Sequence, residues 1–556
     1  MKATKRIFSV FLTCVLAFTM AFAMGLTASA ADYTITITKP EGDIDRTYEA
    51  YQIFQGNLSG NTLSDIEWGT GINGAAFLDE LKKNAPFTSC TDAKTVAEKL
   101  ATFENNSDGA VAFAKLAGKF LTTATGSATA TSSATGKITV PAAGYYLLKD
   151  VTDVTTPHDA LSLNILKVVQ DVEVNPKADH PSVDKKIGTD ISTGAAANTA
   201  TIGDKVPFVI KSNVPKMQGY TKYFFVLNDS MTAGLTYNKD VAIKIGATTL
   251  AADAYDVVYD DTANTMKIVI KNFIQYKSEA GKDIVVTYSA TLNEKADLTQ
   301  AGNKNTVKLT YSNNPNVDYK GDNEPDTTDP VGETPEHVTV TYSTKLQLTK
   351  VDGADPNEKL EGVEFQITGT SIKTAVSKGD YFKQDAAGTY YQLKDGTFTD
   401  TAPAPETESK YVSTSVKYAE VTDATEQTKM QKVTASGTTD ANGLITFKGL
   451  GAGTYYITEL KTLGGYNLLT APITVTITGT PSATGSGYSW SVSSNATFED
   501  DMVKLTVENN KGSVLPITGG IGTTIFYVIG GLLVCGAVVM AITKKKLSVE
   551  DKADQN

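Results

Sequence analysis

The chain has 556 residues, 41% of them hydrophobic and 20% charged, with a net charge of -12 at pH 7 and three cysteines. That acidity excludes nucleic acid and anionic membrane surfaces as partners. Cys14 and Cys535 fall in apolar segments at the two ends, so Cys90 stands alone between them and an intrachain disulfide is excluded there.

Lys2, Lys5 and Arg6 precede an apolar run from Ile7 to Leu26, and the small residues Ala28-Ser29-Ala30 follow. This is the layout of a secretory signal cleaved before Ala31 or Asp32, so residues 1–31 are set apart from the fold. The chain after it is rich in Thr, Val, Ile, Tyr and Gly and alternates apolar with polar residues. Thr34-Ile35-Thr36-Ile37, Val168 to Val174, Ile284 to Tyr288 and Ile473 to Ile477 read as strands. Turn residues bound such runs at short intervals, which predicts a mainly β chain of tandem Ig-like sandwiches. Only residues 74–120 carry helical spacing, in Ala75 to Leu81 and Ala93 to Leu100, so the first domain is expected to hold a helical insertion.

The region is too long for one core. Pro-containing, charged breaks near Asn175–Pro181 and between Pro315 and Pro335 predict domains at 32–178, 179–335 and 336–512. The Ser/Thr/Gly tract Thr122–Gly136 reads as an exposed loop, and residues 370–435 as a polar, irregular insertion. At the end stand Leu515-Pro516-Ile517-Thr518-Gly519, an apolar stretch from Ile521 to Ile542, and Lys544, Lys545 and Lys546. About 20 apolar residues suffice to cross a bilayer. The lysines behind them hold that end in the cytoplasm and leave the bulk of the chain outside.

The candidate chemistry lies at strand ends. Alternation puts Lys350 on the apolar face of Leu346 and Leu348, and Asn509 on the face of Leu505 and Val507. Glu459 follows a Tyr-Ile strand. Buried polar groups of this kind are costly unless paired. Desolvation lowers a buried lysine's pKa and raises a buried acid's, which sets a neutral amine beside a protonated acid. The amine can then attack the asparagine carbonyl carbon while the acid polarises its oxygen. Ammonia leaves and an isopeptide bond remains, with no cofactor. Asn510 is the competing acceptor.

These residues carry a resemblance. Residues 515–519, with the apolar stretch and basic tail, look like a sortase cell-wall sorting signal, which implies cleavage after Thr518. Val351-Asp352, Leu360 to Phe365 and Gly453 to Glu459 running on to Gly465-Tyr466 look like a Cna B-type domain. There the equivalents of Lys350, Glu459 and Asn509 form the bond. Leu463-Gly464 replaces the usual Ala-Pro before Gly-Tyr. Tyr223 to Met231, followed by Gly234 to Tyr237, resembles the isopeptide-forming middle domain of Gram-positive major pilins, with Asp229 as the acid. Val183, Lys185 and Ile187 share one face, and Asn305, Val307, Leu309 and Tyr311 another, so Lys185 and Asn305 are the implied pair and Asn303 the competitor. Val172 to Lys177 resembles the pilin motif, with Asn175 in place of its tyrosine, and makes Lys177 the acceptor of Thr518. Tyr48 to Phe54 near the start is also typical of such pilins.

The resemblance implies a secreted, peptidoglycan-anchored shaft subunit. Its partners would be sortase, identical copies of itself, minor pilins, peptidoglycan and host surface ligands. The alternative is a pilus-tip or monomeric wall adhesin. His158, His180 and His337 share no metal-like spacing, no catalytic triad or phosphate loop appears, and neither a metal, a cofactor nor an enzymatic activity is expected. Cys90 reads as a free, packed thiol. Gly144 to Asp150 echoes Gly453 to Glu459, which makes Asp150 a candidate third acid with Lys39 as its amine. Without a clear asparagine partner, two bonds are expected rather than three.

Overall fold

The computed structural model describes residues 32–39, 44–60, 62–104, 107–131, 133–154, 159–168, 170–174, 179–369, 382–385, 387–393, 398–411, 414–423, 436–481 and 487–512. The chain divides into two compact units, one running to Ser343 with the segment 480–489, the other covering 344–479 and the residues from Trp490 on.

The first unit opens with alternation put to use. Ile35 and Ile37 of the strand Tyr33–Ile37 are fully buried. That strand pairs antiparallel with Gly136–Val140 and parallel with Val172–Val174. Beside it lies a second sheet centred on the long strand Arg46–Ser59, flanked by Thr62–Trp68, Gly126–Ala130 and Gly144–Asp150. Ile35, Ile37, Tyr48, Ile138, Tyr146 and Leu148 form a core. A second cluster sets Ile53, Phe54, Tyr145 and Leu147 against the helices Gly74–Leu81, Ala93–Leu100 and Asp108–Ala117. Each helix starts where a side chain caps it: Asn73, Asp92 and Ser107 accept from Ala76, Thr95 and Ala110. Ala93, Val96, Ala97 and Leu100 bury one helical stripe. Cys90 lies beneath it, 2% exposed, with its thiol pushed up by burial.

The same unit continues into a sandwich. One sheet runs Ala197–Thr199, His337–Tyr342, Asn303–Ser312, Phe225–Met231, Thr265–Ile270, Tyr255–Asp260. The other runs Thr248–Thr249, Ala242–Ile245, Asp283–Leu292, Lys205–Asn213, Asp184–Ile187. Phe208, Ile210, Leu227, Ile268, Val286, Val307 and Leu309 belong to the core between them. Lys185 enters this core from a strand of the second sheet, opposite Ile210, while Asp229 and Asn305 enter it from neighbouring strands of the first, opposite Val307 and Met231. Val183 and Ile187 are buried with Lys185, and Lys186 is not.

In the second unit, Leu444–Leu450, Thr344–Asp352, Met502–Asn509 and Thr497–Glu499 form one sheet in that order. Ser436–Thr438, Glu364–Gly369, Gly453–Lys461 and Ile473–Pro481 adjoin in the other. Thr344–Asp352 and Met502–Asn509 are parallel, with Lys350 opposite Val507 and Asp352 opposite Asn509. Gly443 fixes the Lys350 backbone: its carbonyl accepts from Lys350 N–H at 2.7 Å. Its φ is +68°, and a Cβ there would lie 2.5 Å from the Lys350 carbonyl oxygen. The expectation of an irregular stretch at 370–435 is corrected in its described parts. Phe382–Gln384 pairs with Tyr418–Glu420 and Tyr391–Gln392 with Phe398–Thr399. Phe382, Val416 and Tyr418 close a small core, with the Phe382 and Phe398 rings stacked at 4.4 Å. Aromatic residues spaced among polar ones build this cluster.

Among the described residues no helix is long and apolar enough to cross a membrane. The signal, the Asn175 to Lys177 motif, residues Leu515 to Gly519 and the apolar stretch after them lie outside the described residues.

Candidate functional site

Lys185, Asp229 and Asn305 meet in the sandwich core, each 2% exposed or less. Nζ of Lys185 lies 2.5 Å from Asp229 Oδ2 and donates to Asn305 Oδ1. Tyr237 donates to Asp229 Oδ1 at 2.8 Å and Tyr288 to Oδ2 at 2.7 Å. Tyr288 also accepts from Asn305 Nδ2 at 3.0 Å. Phe208 and Tyr288 set their rings 5.5 and 5.6 Å from the lysine nitrogen. Burial pulls the Lys185 amine down from 10.5 to about 8, against the upward pull of Asp229. Burial, and secondly Asp229, push the Tyr237 and Tyr288 phenols well above their usual range, so both stay hydroxyls.

Asn303, the competing acceptor, is buried in another role. Its Oδ1 accepts from Asp297 N–H at 2.8 Å, and Nδ2 donates to the carbonyls of Asp297 and Thr341 at 3.0 and 3.1 Å. It anchors a loop.

Lys350, Glu459 and Asn509 occupy a second site, each 2% exposed or less. Nζ of Lys350 donates to the Val507 carbonyl at 3.2 Å. Asn509 Nδ2 donates to Glu459 Oε1 and to Thr462 Oγ1, both at 2.7 Å, while Oδ1 is buried without a hydrogen-bond partner. Leu469 N–H holds the other Glu459 oxygen at 2.8 Å. Burial brings Lys350 from 10.5 to about 8, against the upward pull of Glu459 and Glu508. Asn510 is exposed. Beside Asn509, Asp352 takes Lys511 Nζ at 2.8 Å and the Tyr466 hydroxyl at 2.7 Å, and these partners hold its carboxyl well below the usual range.

Sequence reasoning missed Tyr237, Tyr288 and Thr462. The two tyrosines were legible as core positions, because Leu235 and Tyr237, and Ile284, Val286 and Tyr288, share faces. A hydroxyl carried into a core needs a partner. Nothing local marked Thr462, whose partner lies 47 residues on.

The echo at Asp150 is corrected. That carboxylate is buried, but its cation is Arg46 rather than Lys39. Arg46 donates to Asp150 Oδ2 at 2.9 Å and to the Ala160 carbonyl at 3.0 Å, and pairs with Asp159. Lys39 lies past the end of its strand and pairs with Asp45 at 2.7 Å. A guanidinium stays protonated and is no nucleophile. No group of three or more His, Cys, Asp and Glu that could hold a metal occurs among the described residues.

Two family models match: Gram-positive pilin backbone subunit 2, Cna-B-like domain, over residues 202–315, and a prealbumin-like fold domain over residues 410–487. The first span holds Asp229 and Asn305, the second Glu459. These matches support a Gram-positive backbone pilin. A curated relative is the trypsin-resistant surface T6 protein of Streptococcus pyogenes serotype M6, 25% identical over 401 residues, covering 66% of this chain and 70% of the relative. Among solved structures, the T6 backbone pilin of serotype M6 Streptococcus pyogenes aligns with 87% of this chain and 100% of its own, at 15% identity and a TM-score of 0.49. The full-length major pilin SpaD from Corynebacterium diphtheriae aligns with 87% and 98%, at 14% identity and a TM-score of 0.46.

Proposed function

We propose that this backbone pilin is polymerised by sortase, with Thr518 of one copy joined to Lys177 of the next, and that Lys185–Asn305 and Lys350–Asn509 isopeptide bonds tie its domains internally. The observation that carries the reading is the dry contact of the Lys185 amine with both Asn305 and Asp229. Three such groups would be an expensive core if they did nothing more than neutralise one another. Close contact replaces a bimolecular encounter with a held geometry. A lysine brought down to about 8 is neutral in an appreciable fraction of molecules near neutral pH.

Neutral Nζ attacks Cγ of the asparagine, and one proton of the amine passes to the carboxylate. The Cγ–Nδ2 bond breaks as Nδ2 takes a proton and departs as ammonia, leaving the Nζ–Cγ amide. Glu459, which accepts directly from Asn509 Nδ2, is the corresponding acid of the second bond in this reading. The secretory signal, the wall anchor, the three-domain division at 178 and 336, and the minor-pilin, peptidoglycan and host partners belong to the same proposal.

Immunoblots of cell-wall extract test it. The parent chain is expected to give a high-mass ladder and Lys177→Ala a monomer that still reaches the wall. A full ladder in the variant would refute Lys177 as acceptor, and a single band in the parent would favour a monomeric adhesin.

A further inference from the structure

The two sites differ in how the acid reaches the nitrogen that must leave. Glu459 Oε1 touches Asn509 Nδ2 directly at 2.7 Å. Asp229 is one methylene shorter. Its Oδ2 holds the lysine nitrogen and its Oδ1 the Tyr237 hydroxyl, and the group on Asn305 Nδ2 is the Tyr288 hydroxyl at 3.0 Å. The same hydroxyl donates to Asp229 Oδ2 at 2.7 Å. Acid, phenol and amide nitrogen thus form an unbroken chain sealed from water, since all three residues are in the core.

We propose that Tyr288 is a catalytic proton relay of the middle domain, passing a proton from Asp229 to the departing nitrogen of Asn305. This rests on the isopeptide reading above. When Lys185 attacks, one amine proton moves to Asp229 Oδ2. The acid then gives a proton to the Tyr288 oxygen as Tyr288 gives its own to Nδ2. The phenol ends as it began, the Cγ–Nδ2 bond breaks, ammonia leaves, and the carboxylate regains its charge. No oxidant, metal or external base enters. A hydroxyl that exchanges one proton for another need never become a phenolate, so burial does not oppose the step. In the second unit Thr462 also contacts the leaving nitrogen, but Glu459 already reaches it, so that hydroxyl orients the amide without carrying its proton.

Tyr237 supplies the control. It is a second buried phenol on the same carboxylate, bonded to Oδ1 rather than to the Oδ2 that Tyr288 and Lys185 share. The full chain would be made by cell-free synthesis, sampled over time and digested, and the cross-linked peptides quantified by mass spectrometry. Tyr288→Phe is expected to slow the Lys185–Asn305 peptide by about a hundredfold or more, the low end for one general acid–base group. Tyr237→Phe, which also removes a hydrogen bond from Asp229, should slow it distinctly less. The Lys350–Asn509 peptide, formed in the other compact unit, is the internal reference, and protease resistance of the Tyr288 sandwich reports that the variants fold. Equal rates for Tyr288→Phe and parent, or equal slowing in both phenylalanine variants, would overturn the relay. Should Tyr288→Phe lose the protease resistance of its sandwich, fluorotyrosine placed at position 288 alone decides. Its shape is conserved and its proton more acidic, so an altered rate supports the relay and an unaltered one overturns it. Absence of the Lys185–Asn305 peptide from the parent would instead sink the isopeptide reading itself, and the relay with it.

Discussion

Asn509 stands directly opposite Asp352 in a parallel strand pair, which puts the Asn509 amide on the same buried face as the Lys350 amine two residues before Asp352. Glu459 meets that face from the other sheet and takes the amide nitrogen. The fold thus gathers at one buried face three polar residues that are far apart in the chain.

Glu459→Gln keeps the volume and removes the acid. The second unit should fold without its cross-link and lose on the order of 5 kcal/mol, the entropy of closing a loop as long as Lys350 to Asn509 in the unfolded chain. Calorimetry and protease digestion of parent and variant are the measurements. Equal melting of the two would show that Glu459 has no part in a bond.

Intact mass of the parent should fall short of the sequence mass by two ammonia molecules. Asn305→Ala should restore one, and Asn509→Ala the other. Asn303→Ala should restore none, yet should cost about 1–3 kcal/mol, because the Asp297 and Thr341 backbone groups lose their partners. A shortfall that vanished with Asn303 would move the acceptor.

Asn305→Ala leaves Lys185 buried and uncondensed, and its lowered pKa then has a thermodynamic sign. Between about 8 and the ordinary 10.5, the unfolded chain holds a proton that the folded chain has shed. Stability therefore rises with pH across that window and is lowest below it. Urea midpoints of Asn305→Ala should climb from pH 7.5 to 9.5 relative to the double variant Lys185→Met, Asn305→Ala. Parallel curves would mean that the amine is not depressed.

Arg46→Ala strips the cation from Asp150 and Asp159, which are both buried in the first unit. Breaking a buried pair by deleting one partner costs about 3–5 kcal/mol. Hydrogen exchange should speed up in the strands Arg46–Ser59 and Gly144–Asp150 before it does elsewhere. Uniform protection in parent and variant would show that the pair does not stabilise those strands.

The fold was legible where period-two alternation reaches the core. Val183, Lys185 and Ile187 announced an amine pointing inward, and Leu505, Val507 and Asn509 an amide doing the same, because a strand fixes the face of every second residue. Which cation would meet Asp150 was not legible. Arg46 starts the opposing strand, and the pairing of Tyr48 with Asp150 is a matter of register between segments a hundred residues apart. Tyr237 and Tyr288 looked like ordinary core aromatics, since alternation gives the burial of a ring and says nothing of what its hydroxyl touches. The small core at Phe382 and Tyr418 escaped notice for a related reason. Its strands are two or three residues long, too short for alternation to show.

The parallel pairing of Thr344–Asp352 with Met502–Asn509 has a mechanical meaning. When a chain is drawn out by its two termini, the first of these strands is tugged from its start and the second from its finish. Parallel neighbours then slide past one another, and the ladder from Lys345–Met502 to Asp352–Asn509 is loaded all at once in shear. An antiparallel pair held at the same two points would unzip one rung at a time. The second unit is thus arranged to yield abruptly and at high force, even before any covalent tie at Lys350 is counted.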